Sequence, residues 1–279
     1  MNTIRPPSAP RRLSFVRETR AMADIASMAV PLLGAALSTR KPATGTRLML
    51  LPGFGADEAS MLPLKYFLER SGYAVEGWGL GRNLAGMNLK HSVDDLSDGW
   101  PVDPERDYNG EAAVPYLADR VVEQVRARAE ATGENFSLIG WSLGGYLARE
   151  AARDLPELVD HVITLGSPII GGPKYTATAD RFRRRGLDLD WMEEEIARRD
   201  QRPIQQPITA IYSKTDAIVD WPATIDQISP NVEHIEVDAA HLGLAFNRKV
   251  WRLVLEALRV RAGGDRSDTP PTHSSARCA

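Results

Sequence analysis

The chain has 279 residues, 43% of them hydrophobic and 25% charged, with a net charge of −3. That length is enough for one large domain with a substantial core, and a weakly acidic balance excludes the strongly basic surface that a nucleic-acid partner requires. The single cysteine, Cys278, cannot close an internal disulfide, which fits a reducing, cytoplasmic setting; a peripheral-membrane or exported form is the open alternative.

Residues 1–12 are rich in Pro, Ser and Arg and are predicted to be disordered. The moderately apolar stretch 21–37 follows Arg11 and Arg12, as the apolar part of a signal peptide would. Glu18, Arg20 and Asp24 lie in or just before it, and Pro31 and Gly34 interrupt it. It reads as one or two amphipathic helices packed on the domain, too polar and broken for a stable membrane span. Apolar runs then alternate with amphipathic segments. Residues 48–51 form a strand, and 59–70 a helix with Met61, Leu62, Leu64, Phe67 and Leu68 largely on one side. A strand begins at Tyr73, and the polar, acidic stretch 84–110 reads as a long loop. A helix over 115–131 turns Leu117, Val121, Val122 and Val125 inward. Strands follow at 136–139, 162–165, 208–212 and 232–237, with helices over 145–152 and 250–260. Residues 171–206 break the rhythm with a mostly charged insertion containing a helix over 190–199; the tail 262–279 is predicted to be disordered. Strands alternating with helices give an α/β domain over 13–261, with a mostly parallel sheet flanked by helices and a short helical cap over 171–206. Such a cap lies over the carboxyl ends of the strands, where α/β sheets place their sites.

Gly140-Trp141-Ser142-Leu143-Gly144 fits G-x-S-x-G, between a predicted strand and a predicted helix. In that context the turn lifts a serine hydroxyl above the sheet, and the flanking glycines avoid backbone clashes that any Cβ would make. A neutral hydroxyl needs a base, usually a histidine oriented by a carboxylate. Asp216 follows the strand ending at Tyr212, and His241 follows the strand ending at Val237, so Ser142, Asp216 and His241 occupy loops on one edge of the sheet. Asp220 and Asp238 compete with Asp216; Asp220 reads as the cap of a following helix, and Asp238 is too close to its strand end. Of the other histidines, His273 is in the tail, His161 starts a strand at the opposite edge, His234 lies within a strand, and His91 precedes the serine in the long loop. The backbone N–H of Leu143 and that of Phe54, in Pro52-Gly53-Phe54-Gly55, are the expected oxyanion donors.

No cofactor or metal is expected. Gly77, Gly79 and Gly81 lack dinucleotide-binding spacing, no phosphate loop is present, and no histidine–carboxylate cluster has metal spacing. Arg181, Arg183, Arg184 and Arg185 are expected to face Glu193, Glu194 and Glu195 as a solvated surface.

The sequence resembles the α/β-hydrolase superfamily over about residues 47–260, most closely bacterial lipase- and esterase-like members. The residues carrying the likeness are Leu51-Pro52-Gly53-Phe54-Gly55, Gly140 to Gly145, Thr164-Leu165-Gly166-Ser167-Pro168, Thr215-Asp216 and His241. The resemblance implies Ser142 as nucleophile, Asp216 as acid, His241 as base, and the Phe54 and Leu143 amides as oxyanion donors. The first loop departs from the family by carrying Leu-Pro-Gly where many lipases have His-Gly. The expected activity is hydrolysis of a small-molecule or lipid-like carboxylic ester through an acyl-enzyme. Trp141, Trp78, Ile169 and Ile170, with Phe54 and Leu143, are the apolar groups expected near the pocket mouth. An acyltransferase would use the same residues, and a non-catalytic binder on this fold is the third reading.

Overall fold

A computed structural model describes residues 4–10, 47–103 and 105–264, with side chains to residue 260. The helical reading of 21–37 and the reading of the tail from 265 onward therefore lie outside the described residues. Six strands form one sheet in the order β2-β1-β3-β4-β5-β6, and every neighbouring pair is parallel. The strands are β1 (Arg47–Leu51), β2 (Ala74–Gly77), β3 (Phe136–Trp141), β4 (Val159–Leu165), β5 (Ile208–Tyr212) and β6 (Val232–Glu236). The main helices are α1 (Glu58–Arg70), α2 (Ala113–Thr132) and α3 (Leu143–Asp154), then α4 (Ala179–Arg183) and α5 (Leu189–Arg199) in the insertion, and α6 (His241–Phe246) and α7 (Arg248–Gly264).

β1 shows why so apolar a strand is stable here. Leu48, Met49, Leu50 and Leu51 are all buried, because both faces of the sheet are covered. Leu48 and Leu50 pack with Leu64 and Leu68 of α1 and with Trp251 and Val254 of α7. Met49 and Leu51 point the other way, toward Val121 and Val125 of α2 and Leu147 and Ala151 of α3. Each such side chain contributes roughly 1.5–3 kcal/mol by leaving water. The caps follow local chemistry: Asp57 accepts from the Ala59 N–H to start α1, and Asp188 accepts from the N–H groups of Asp190 and Trp191 to start α5. Gly133 ends α2 in the left-handed conformation.

Asp220 departs from its expected capping role. It precedes a 3-10 turn, Trp221–Thr224, without capping it through its side chain. Its carboxylate instead takes two hydrogen bonds from the Arg5 guanidinium, at 2.5 and 2.8 Å, and one from the Ser8 N–H. A charge-assisted fork competes better for a carboxylate than a single backbone N–H does. Residues 4–10, without regular secondary structure, are thereby tied beside the loop that carries Asp216.

The insertion is joined to the helix behind the G-x-S-x-G turn by buried charges. Glu150 of α3 contacts Arg199 at 2.7 Å and Arg153 at 3.3 Å, Arg153 reaches Asp200 at 2.7 Å, and Arg199 reaches Asp154 at 2.7 Å. Arg199 also stacks over Trp100 and donates to the Gly99 carbonyl, which brings in the 84–110 loop. The charges of the insertion pair otherwise than the sequence suggested: Glu193 meets Lys174 and Tyr175, Glu195 meets Arg198, and Arg183 meets Asp180. Residues three apart on one helix, as in Glu195 with Arg198 and Asp180 with Arg183, face each other directly. Among the described residues no helix is long and apolar enough to cross a membrane.

Candidate active site

The sheet register sets the site. Leu51 lies opposite Gly140, Trp141 opposite Leu165, Leu165 opposite Ile211, and Tyr212 opposite Glu236. The carboxyl ends of five strands are therefore level, and the loops after them share one edge.

Ser142 follows β3 directly, with φ 54 and ψ −123, a conformation that L side chains rarely adopt. Its N–H donates to the Leu165 carbonyl at 2.9 Å, fixing the turn to β4. The glycines around it are sterically required. A Cβ on Gly140 would stand 2.3 Å from the Gly144 carbonyl oxygen, and one on Gly144 would stand 2.2 Å from that of Leu51. Ser142 and Ala85 are the only non-glycine residues with positive φ among those described. Backbone strain of this kind costs on the order of 1–3 kcal/mol and persists where surrounding structure enforces it.

His241 Nδ1 lies 2.6 Å from Asp216 Oδ2, and both side chains are almost fully buried. The other oxygen of Asp216 accepts from the N–H groups of Ile218 and Val219, each at 2.8 Å. The carboxylate is thus held from behind by backbone and faces the imidazole in front. Trp141 Nε1 donates to the His241 carbonyl at 3.2 Å, and its ring lies 5.8 Å from the imidazole. Gly166, at φ 58, leaves the room the pair needs: a Cβ there would meet Leu244 at 2.5 Å, Asp216 Oδ2 at 3.2 Å and His241 Nδ1 at 3.4 Å.

The competing residues are occupied elsewhere. Asp238 accepts from the Thr215 hydroxyl, His161 bonds Thr209, His234 accepts from the Asp226 N–H, and His91 stacks on Tyr116. The backbone N–H groups of Phe54 and Leu143 have no acceptor among the described residues. The loop carrying Phe54 is pinned by Asn83, whose side chain donates to the Pro52 carbonyl at 2.8 Å and whose backbone carbonyl accepts from Gly55 at 2.6 Å. Sequence reasoning missed Asn83, which lies in a stretch with no periodic signal.

Ser142 and His241 open into one cavity of about 280 Å³. Phe54, Trp141 and Leu143 line it, as do Met87, Trp100 and Val114, and the insertion contributes Phe182, Leu187, Trp191, Met192 and Ile196. Phe54 meets Phe182 at 5.7 Å between ring centroids, joining the first loop to the cap. Trp78, Ile169 and Ile170 are not among the lining residues. Trp78 packs in the same core cluster as Trp100 and donates to the Gly81 carbonyl, while the N–H groups of Ile169 and Ile170 both turn toward the Ala223 carbonyl. Among the described residues no group of three or more His, Cys, Asp or Glu side chains could hold a metal ion.

A family model described as the alpha/beta hydrolase fold matches residues 47–204. The chain belongs to the alpha/beta hydrolase family. No curated protein sequence matches it. Among solved structures, one of the metagenome-derived lipolytic enzymes LipS and LipT aligns with a TM-score of 0.55 at 16% identity, over 80% of this chain and 96% of that one. A lipase-esterase related protein from Clostridium acetobutylicum aligns with a TM-score of 0.52 at 15% identity, over 79% and 96%. The 2-hydroxy-6-oxo-6-phenylhexa-2,4-dienoate hydrolase of Rhodococcus sp. strain RHA1 aligns with a TM-score of 0.50 at 14% identity, over 80% and 92%. At these identities the likeness concerns the fold. The hydrolase-fold assignment and the parallel sheet inferred from the sequence agree with the family match.

Proposed function

We propose that this alpha/beta hydrolase cleaves carboxylic esters through an acyl-enzyme on Ser142. The observation that carries the reading is the 2.6 Å contact between His241 and a backbone-anchored Asp216, with His241 lining the same apolar cavity as Ser142. His241 Nδ1–H donates to Asp216, so Nε2 carries the lone pair. As Ser142 Oγ bonds to the acyl carbon, Nε2 takes its proton, and the imidazolium forms beside the carboxylate. The N–H groups of Phe54 and Leu143 receive the charge developing on the carbonyl oxygen, often the largest single term in such reactions. His241 then returns the proton to the departing alcohol oxygen as the bond from acyl carbon to alkoxy oxygen breaks. Water, losing a proton to Nε2, attacks the acyl-enzyme, and the acid leaves as Ser142 Oγ is reprotonated. The cap over 171–206 supplies much of the apolar wall, which suits an ester with a sizeable apolar part.

A fluorophosphonate probe tests the assignment. Wild type takes one label, at Ser142, and Ser142→Ala takes none; a label that persists in Ser142→Ala refutes it. Hydrolysis of p-nitrophenyl esters from short to long acyl chains, with and without competing alcohols, then defines the acyl chain and the acceptor.

A further inference from the structure

Tyr146 of α3 stands one helical turn after Ser142, and its N–H closes that turn on the Ser142 carbonyl at 3.4 Å. It lines the cavity together with Trp100, Leu143 and Ile196, its neighbours in one core cluster. The residue is only 5% exposed. Its phenolic oxygen has no hydrogen-bond partner among the described residues, yet it is not walled in and keeps surface that a water molecule can touch. In a residue this deep, the open side is the cavity that it lines. Other polar groups of the wall are committed. Trp100 Nε1 donates to Asp119, the Thr176 and Thr178 hydroxyls bond each other, and Glu111 accepts from the N–H groups of Asp188 and Asn109. Trp191 is only half-buried, so water can serve its Nε1. A buried tyrosine hydroxyl normally finds a partner, and leaving it without one is costly. Burial, with Glu150 adding to it, raises the Tyr146 hydroxyl well above its ordinary ionisation range, so the group stays protonated and has a proton to donate.

We propose that Tyr146 is a substrate-binding residue whose hydroxyl donates a hydrogen bond to a second, uncharged oxygen of the ester, an ether or carbonyl oxygen. The proposal rests on the ester-cleaving reading of the same cavity. The helix rises about 6 Å between Ser142 and Tyr146, and a helical side chain leans back toward the N-terminus, here the end that carries Ser142. The second oxygen therefore lies within a few bonds of the scissile carbonyl rather than at the far end of a long chain. A charged oxygen is disfavoured, because no lysine or arginine lines the cavity and two acids, Glu111 and Glu195, do.

The test uses the full chain and p-nitrophenyl esters of matched length, in which one ether oxygen replaces one methylene of the acyl chain at successive positions from the carbonyl. A parallel set of alkyl esters carries the replacement in the alcohol, with acid release followed by titration. Tyr146→Phe removes the hydroxyl and keeps the ring. For each position the ratio of kcat/KM, ether ester over all-carbon ester, is measured in both enzymes, and comparing the two cancels the intrinsic reactivity of the esters. The wild-type ratio exceeds that of Tyr146→Phe by about 5- to 50-fold at one or two neighbouring positions in one set, and the two ratios agree elsewhere. The thermal midpoint of Tyr146→Phe does not fall, because the hydroxyl has no partner in the fold to lose. Equal ratios in the two enzymes at every position of both sets overturn the proposal, whatever the midpoint does. Fluorophosphonate labelling of the same samples distinguishes the two failures. A wild type without label at Ser142 sinks the ester-cleaving reading as well, whereas normal labelling with equal ratios sinks the role of Tyr146 alone.

Discussion

Asp216→Asn is a sharp test of how the site works, because three donors fix what an amide can do there. The N–H groups of Ile218 and Val219 both point at Oδ1, and the imidazole stands at Oδ2. Asparagine must keep its single oxygen toward the two backbone donors, since the reverse rotamer would set its NH2 against both. Its NH2 then faces His241 Nδ1, which can satisfy it only as an acceptor. The imidazole proton moves to Nε2, the atom that receives the Ser142 proton in the proposed mechanism. Replacing the carboxylate also removes the charge that stabilises the imidazolium. A wrong tautomer of this kind costs on the order of ten-thousand-fold in kcat, or roughly 5.4 kcal/mol of transition-state stabilisation. The fold should survive, because the backbone donors keep their acceptor; losing the charge-assisted bond to His241 costs about 1.5–3 kcal/mol. Asp216→Ala is the contrasting variant, since it also orphans the N–H groups of Ile218 and Val219, at about 1–3 kcal/mol each. Urea unfolding should rank the two variants accordingly. Steady-state hydrolysis of a p-nitrophenyl ester reads the catalytic effect. An Asp216→Asn enzyme that is well folded and within tenfold of wild type would refute the orientation role.

Three further outcomes are expected. Ser142→Gly should unfold at a higher urea concentration than Ser142→Ala, with a difference near 1 kcal/mol, because glycine accepts φ 54 without strain; equal midpoints would mean that the turn stores no strain. Asn83→Ala removes the bonds to the Pro52 carbonyl and from the Ala85 N–H, so kcat should fall about 10- to 100-fold with a smaller change in KM as Phe54 loses its aim; a KM effect alone would assign Asn83 to binding. At Asp226, burial acts to raise the carboxyl, but Arg149 at 2.7 Å and the N–H groups of Ser229 and Ile228 outweigh it and hold the pKa at about 2. A folded value below the unfolded one stabilises the protein above about pH 4, and this contribution is lost as pH falls through about 2. The urea midpoint of wild type should therefore exceed that of Asp226→Asn near neutrality, and the gap should close over that acidic window.

The strands and the G-x-S-x-G turn were legible in the sequence because their causes are local. Four to six consecutive apolar residues that are buried on both faces mark a strand such as β1 whatever its neighbours, and a glycine that would collide with backbone within four residues of itself, as Gly140 would, records a turn. The order Ser142, Asp216, His241 was legible for the same reason, since each follows a strand and parallel strands bring their ends to one edge.

Which way a loop side chain points is not a local property. Trp78, Ile169 and Ile170 lie near the correct edge, yet none of them lines the cavity. Asp220 had the sequence of a cap, and a guanidinium 215 residues earlier in the chain claimed it. Asn83 carries no pattern at all; it matters because of what stands within 3.5 Å of it. The sequence by itself determined how the chain would fold and that Ser142 would stand in a tight turn at the end of a strand, through periodicity and steric exclusion between near neighbours. Only the tertiary structure decided what surrounds that serine, because contacts between residues far apart in sequence are set by the packing of whole elements, and a buried polar atom is paired or orphaned only once they have packed.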